Sequence, residues 1–72
     1  MTSALSELTS LCLARPGCGA DRCELAAWFD RLAVVHEHLA AESHGAEAES
    51  ERRLAAAAHG RALAFLAERE AA

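Results

Sequence analysis

One apolar stripe within residues 21–43 constrains the fold of this chain more than any other feature of its sequence. Its members recur at intervals of three and four residues, the period that lines one face of an α-helix. Asp21 precedes the stripe, with Glu24 three residues later, a pattern typical of a helix N-terminus, and Gly45 supplies a left-handed end. The sequence therefore predicts a helix over residues 22–43. Its buried face carries seven residues: Leu25, Trp28, Phe29, Leu32, Val35, His36 and Leu39.

Weaker signals predict one further helix on each side of this stretch. Thr2 or Ser3 can cap a first helix over residues 3–14, because a hydroxyl accepts from the free amides of the first turn. Pro16 ends that helix, since the residue before a proline avoids the α conformation. A third helix over residues 46–70 is rich in Ala, the best helix former. Its first turns are charged, and its apolar stripe begins only beyond them.

These helices predict an all-α fold in which residues 1–72 form a single small domain. A short N-terminal helix precedes a long antiparallel helical hairpin that turns at His44 and Gly45. Reflection about this turn places Gly60 opposite Phe29. We interpret this glycine, which costs a helix about 1 kcal/mol relative to Ala, as room for the aromatic ring; the alternative is a kink or hinge.

The size and composition of the chain predict association with a second copy. A domain of 72 residues buries only about 60% of the surface of its unfolded chain. Nineteen of the residues are Ala, which bury little area each. Near the turn, apolar residues of the second helix face mostly charged residues of the third. We therefore predict a helical bundle formed as a homodimer, through a face that also suits a larger protein partner: Trp28, Phe29, Leu32, Val35, His36 and Leu39.

Three cysteines fall at the end of the first helix, in the connector and at the start of the second helix, as Cys12, Cys18 and Cys23. Their spacing matches no standard zinc pattern, but their placement brings them to one end of the fold. Three interpretations stay open. The cysteines are reduced thiols, or Cys12 forms a disulfide with Cys23 or Cys18, or the three form a thiolate site for Zn(II) or Cu(I). Asp21 is the candidate fourth ligand of such a metal site.

Four histidines carry less information. His36 belongs to the apolar stripe, so we interpret it as a hydrogen-bonded core or interface residue rather than a metal ligand. His38 and His44 lie nearby among glutamates and are best explained as solvated surface residues. His59 has no partner that the sequence identifies.

Charge and motif content argue against several classes of function. The net charge is −4, and the seven basic residues, all Arg, are not clustered on a face that would bind nucleic acid. No apolar run approaches the ~20 residues that cross a membrane. We see no secretory signal, which predicts a cytoplasmic protein. No phosphate loop or metalloprotease motif is present, so we do not expect an enzyme.

The function predicted first is a small self-associating helical module for protein interaction or regulation, without a cofactor. The alternative is a zinc- or copper-binding or redox-responsive protein that uses Cys12, Cys18 and Cys23.

Overall fold

The computed structural model describes the backbone of residues 3–71 and the side chains of residues 3–68. It contains three helices, which are α1 Ala4–Leu13, α2 Arg22–Glu42 and α3 Gly45–Ala71. No strand occurs in the described backbone, so the predicted all-α class is confirmed. Thr2, one of the two predicted caps, lies outside the described residues. Over this same range, none of the helices combines the length and the apolar character needed to cross a membrane.

Short-range hydrogen bonds fix where the helices begin. Ser3 Oγ accepts from the amide of Ser6 at 3.1 Å, and Asp21 Oδ1 accepts from the amide of Glu24 at 2.8 Å. These bonds satisfy amides that the first turn of a helix leaves without a partner. Gly45 opens α3 with φ +58°, a left-handed conformation that glycine adopts without steric cost. The predicted caps at Ser3 and Asp21 are therefore present.

Buried alanines form much of the core of α2 and α3. On each helix they recur every seven residues, with one additional alanine on α3. Small side chains allow two helix backbones to approach closely, because the distance between packed helices depends on the side chains at the contact. The buried face of α3 also begins earlier than predicted, within its charged first turns. The buried alanines are Ala26, Ala33 and Ala40 on α2, and Ala48, Ala55, Ala58 and Ala62 on α3.

Ion pairs between α2 and α3 show which residues of the two helices lie side by side. Three pairs join the helices: Arg22–Glu68 at 2.7 Å, Asp30–His59 at 3.1 Å and His36–Glu51 at 2.6 Å. The residue number falls on α3 as it rises on α2, which is the order of contacts that oppositely directed helices produce. The same register brings the three evenly spaced alanines of α2 to the level of those of α3.

An aromatic cluster closes the end of this helix pair that lies away from the turn. The rings of Trp28 and Phe29 meet edge to face, with 5.1 Å between centroids, and Phe65 stacks on Phe29 at 5.6 Å. The guanidinium of Arg61 lies 5.0 Å from the centroid of Phe29, and that of Arg15 lies 5.3 Å from Trp28. These rings supply the large apolar surface that the alanines lack.

Trp28 also holds α1 against α2. Its indole N–H donates a buried hydrogen bond of 2.9 Å to the carbonyl oxygen of Leu11, in the last turn of α1. Leu11 is buried beside the indole, and Leu8 packs against the same cluster. At the other end of α1, Glu7 lies 3.2 Å from His38 of α2. One indole therefore fills the core and fixes the end of a second helix.

The sequence-based interpretation of Gly60 is wrong. Gly60 is exposed, and a Cβ added there meets no neighbouring atom within 4 Å. Ala58 and Ala62 turn toward the core, and this directs the position between them toward solvent. The ring of Phe29 is covered instead by Phe65, further along α3.

We predict that Gly60→Ala raises the free energy of unfolding by about 0.5–1 kcal/mol, because alanine loses less backbone entropy in a helix and meets no obstruction here. Gly45→Ala is the matched variant. It should lower the free energy of unfolding by about 1 kcal/mol, since a residue with a side chain is strained in the left-handed conformation of Gly45. Denaturant unfolding at one protein concentration measures both changes. A loss of stability in Gly60→Ala would contradict the open environment of this residue.

Candidate functional site

The structure places the predicted interface residues largely inside the chain. Trp28, Phe29 and Val35 are only 7–8% exposed and belong to the core cluster. Leu32 and Leu39 are half-buried and pack against that cluster. These apolar side chains are covered mainly by α1 and α3 of the same chain, so they do not form an open surface for a second molecule.

Near the turn, the sequence places apolar residues of α2 opposite charged residues of α3. The structure covers this part of α2 partly within the same chain. The side chain of His36 is 13% exposed, and its Nδ1 lies 2.6 Å from Oε2 of Glu51. Ala48, in the first turns of α3, is buried beneath the charged residues around it. One partly buried ion pair and small side chains thus take the place of the apolar stripe that α3 lacks here. The turn region by itself no longer requires a second subunit.

Histidines take part in several contacts between helices. His36 is hydrogen-bonded as predicted. His38, interpreted as a solvated surface residue, is 50% exposed but reaches Glu7 of α1. His59, to which the sequence assigned no partner, lies 3.1 Å from Asp30. The hairpin reflection that was applied to the aromatic residues would have identified this last pair, had it also been applied to the charged ones.

The cysteines are free and exposed at all three positions. Cys12 lies in the last turn of α1, Cys18 in the connector and Cys23 in the first turn of α2. The carboxylate of Asp21 caps α2. Among the described residues, no three His, Cys, Asp or Glu side chains are grouped closely enough to hold a metal ion. A thiolate site would therefore require the chain around the connector to rearrange.

An open groove of about 560 Å³ runs between α1 and α2. Leu11, Val34 and Val35 give it a largely apolar lining, and its polar lining residues are Glu7, Ser10, Asp30 and Arg31. The hydrogen bond from Trp28 to Leu11 fixes one wall relative to the other. The groove is therefore formed without a partner, and it presents apolar surface between charged side chains.

Val34 is the groove residue that the sequence reasoning missed. It is 47% exposed, although it stands beside the buried Val35. Four other large aliphatic side chains are also exposed: Leu5, Leu13, Leu54 and Leu63. One sequence signal could have identified Val34. It is spaced seven residues from Ala27 and from Ala41, and each of these three residues directly follows a buried alanine of α2.

We predict that the three cysteines all react with Ellman's reagent in native buffer, because exposed thiols are accessible to the reagent in the folded protein. Cys12→Ser should remove one equivalent and leave the others unchanged. Added zinc should not slow the reaction, since the ligands are not assembled. Protection of all three thiols by stoichiometric zinc would instead support the metal-binding alternative.

We predict that Glu51→Ala lowers the free energy of unfolding by about 1–2 kcal/mol, because it leaves the partly buried ring of His36 without its partner. His59→Ala breaks a pair whose side chains are 60% and 53% exposed, and such a pair contributes less than about 1 kcal/mol. Denaturant unfolding of both variants at equal concentration makes the comparison. Equal losses would show that burial does not distinguish the two pairs.

No protein-family model matches this chain, and no match is found among curated proteins or among solved structures.

Proposed function

We propose that this chain is a small helical interaction module that associates with itself. Its unit is the antiparallel hairpin of α2 and α3 with α1 packed on one side, and two such units form a helical bundle. The work of the protein in this proposal is binding rather than catalysis. A larger protein partner would dock on the assembled pair.

The observation that carries the proposal is the distribution of apolar side chains. Five large aliphatic residues are 46–86% exposed, while no large side chain in the described core is fully buried. Among residues 3–68, burial is complete only at two alanines, Ala4 and Ala62. A chain of this size that leaves leucines and a valine in solvent gains stability from covering them.

The groove between α1 and α2 supports binding rather than chemistry. Its lining brings together apolar side chains with Glu7, Asp30 and Arg31 at its polar positions. A substrate site usually encloses its ligand and converges several polar groups upon it, whereas this surface is open. An open, preformed apolar groove fits the side of another helix.

The cysteine-based alternative has less support. Exposure of all three thiols leaves them available to metal or oxidant. However, Asp21 already accepts a hydrogen bond as the cap of α2, and the described residues form no ligand group. Under the proposed function the cysteines are not needed for association.

We predict that sedimentation velocity shows a dimer whose fraction rises between about 1 and 100 µM, the range of a modest protein interface. The variant with Cys12, Cys18 and Cys23 all replaced by Ser should associate equally well. A monomer across this range would overturn the proposal. Association that disappears with the cysteines and depends on zinc or oxidant would favour the alternative instead.

A further inference from the structure

α2 has neighbours on two sides and an unpartnered third face. α1 covers one side and α3 covers another. Cys23, Ala27, Val34 and Ala41 are exposed and lie within about 20° of one line along the helix at 3.6 residues per turn. Val34 sits at the centre of this line, where it also lines the groove beside α1.

The charged or titratable residues nearest to Val34 are sorted by type. Arg31 and His38 lie on its α1 side, at about 40–60° from Val34, and Asp30 and Glu37 lie at similar angles on its α3 side. Arg31 and Glu37 form no ion pair within residues 3–68. Asp30 and His38 each have a partner but remain half-exposed. Around Val34 the face thus has a basic edge, with Arg31 and the titratable His38, and an acidic edge, with Asp30 and Glu37. Further round on the α1 side, at about 80° from Val34, lie Glu24 and Glu42.

This sorting selects one arrangement of two identical helices. In a parallel pair related by a two-fold axis along the helices, the basic edge of each copy meets the acidic edge of the other. In an antiparallel pair centred on Val34, basic edge meets basic edge and acidic edge meets acidic edge. Like charges placed together across an interface disfavour the second arrangement.

Building on the proposed function, we propose that the occupant of this face is a second copy of the same chain, with its α2 parallel and in register. Val34 contacts the partner's Val34 at the centre of the interface. Arg31 pairs with the partner's Asp30, and Glu37 with the partner's His38, once on each side of the axis. The small side chains at positions 27 and 41 allow the two helices to approach closely, and the partner covers the apolar wall of the groove.

The other exposed aliphatic residues lie on α1 and α3. Leu54 and Leu63 are nine residues apart on α3, which places them on opposite sides of that helix at about 100° per residue. Leu5 and Leu13 lie on the short helix α1. Leu63 also has exposed small residues on its face of α3, at Ala56, Gly60 and Ala67. The face of α2 adds to such residues the charged or titratable positions 30, 31, 37 and 38 on its two edges.

The first test compares two aspartate variants by sedimentation. Val34→Asp should raise the dissociation constant of the dimer at least about 100-fold, because it buries two unpaired carboxylates. Leu54→Asp is the matched control, since Leu54 is 46% exposed and Val34 is 47% exposed, and it should leave the constant unchanged. Arg31→Glu should weaken the dimer about tenfold, and adding Asp30→Arg to it should restore most of the loss.

The second test traps the arrangement in a background with Cys12, Cys18 and Cys23 replaced by Ser. With diamide as oxidant, Val34→Cys and Ala41→Cys should each give a covalent homodimer, and Leu54→Cys should give none above collision level. In a parallel pair, position 41 meets its own copy. In an antiparallel pair, it meets position 27 instead, and cross-linking requires a mixture of Ala27→Cys and Ala41→Cys chains.

The outcomes separate this inference from the proposed function. A wild-type chain that stays monomeric, with no cross-link at any position, overturns both. A wild-type dimer that tolerates Val34→Asp and does not cross-link at position 34 overturns this interface and leaves self-association standing. A cross-link at position 34 with the mixed pattern at positions 27 and 41 overturns the parallel arrangement.

Discussion

The fold depends on the close contact between α2 and α3 that small side chains permit. Buried alanines repeat every seven residues on both helices, so two backbones can pack with little side-chain volume between them. Close approach of the two helices is obtained with little burial of apolar surface, because each alanine removes only a small area from water. The remaining stabilisation has to come from the ends and edges of the helix pair. The aromatic cluster provides it at one end, and cross-helix ion pairs provide part of it along the edges.

Trp28 connects this contact to the rest of the chain. Its ring meets Phe29 in the core, and its N–H binds the carbonyl oxygen of Leu11. A buried indole needs an acceptor, and the carbonyl oxygen of Leu11, which also accepts from the amide of Ala14 at 3.1 Å, has a second lone pair to offer. This bond satisfies the indole N–H and fixes α1 against α2 at Leu11.

Much of the fold could be predicted from local signals. The caps at Ser3 and Asp21 and the left-handed Gly45 follow from residue type alone. The stripe of α2 identified Trp28, Phe29 and Val35 as buried, but it did not include the buried alanines of that helix. Prediction from the sequence failed where alanine occupies both the buried and the exposed face of a helix, because hydrophobicity then does not distinguish the two faces. On α3, alanine occupies both buried and exposed positions, so the sequence does not show that position 60 points to solvent. The stripe of α2 was correctly located but was assigned to a second molecule, because the first turns of α3 carry charged residues and no apolar stripe to cover it.

On α2, a buried set and an exposed set of small or apolar residues both repeat every seven residues, and the two sets are one residue apart. The sequence alone therefore does not show which set faces a partner. Positions 26, 33 and 40 are buried against the chain, while positions 27, 34 and 41 are exposed. Adjacent repeats of this kind widen the apolar arc of a helix, as in a helix surrounded by neighbours in a bundle. What distinguishes the outer face is its charged edges. Cross-helix pairs with His36 and His59 form within one chain, whereas Arg31 and Glu37 form no ion pair within residues 3–68.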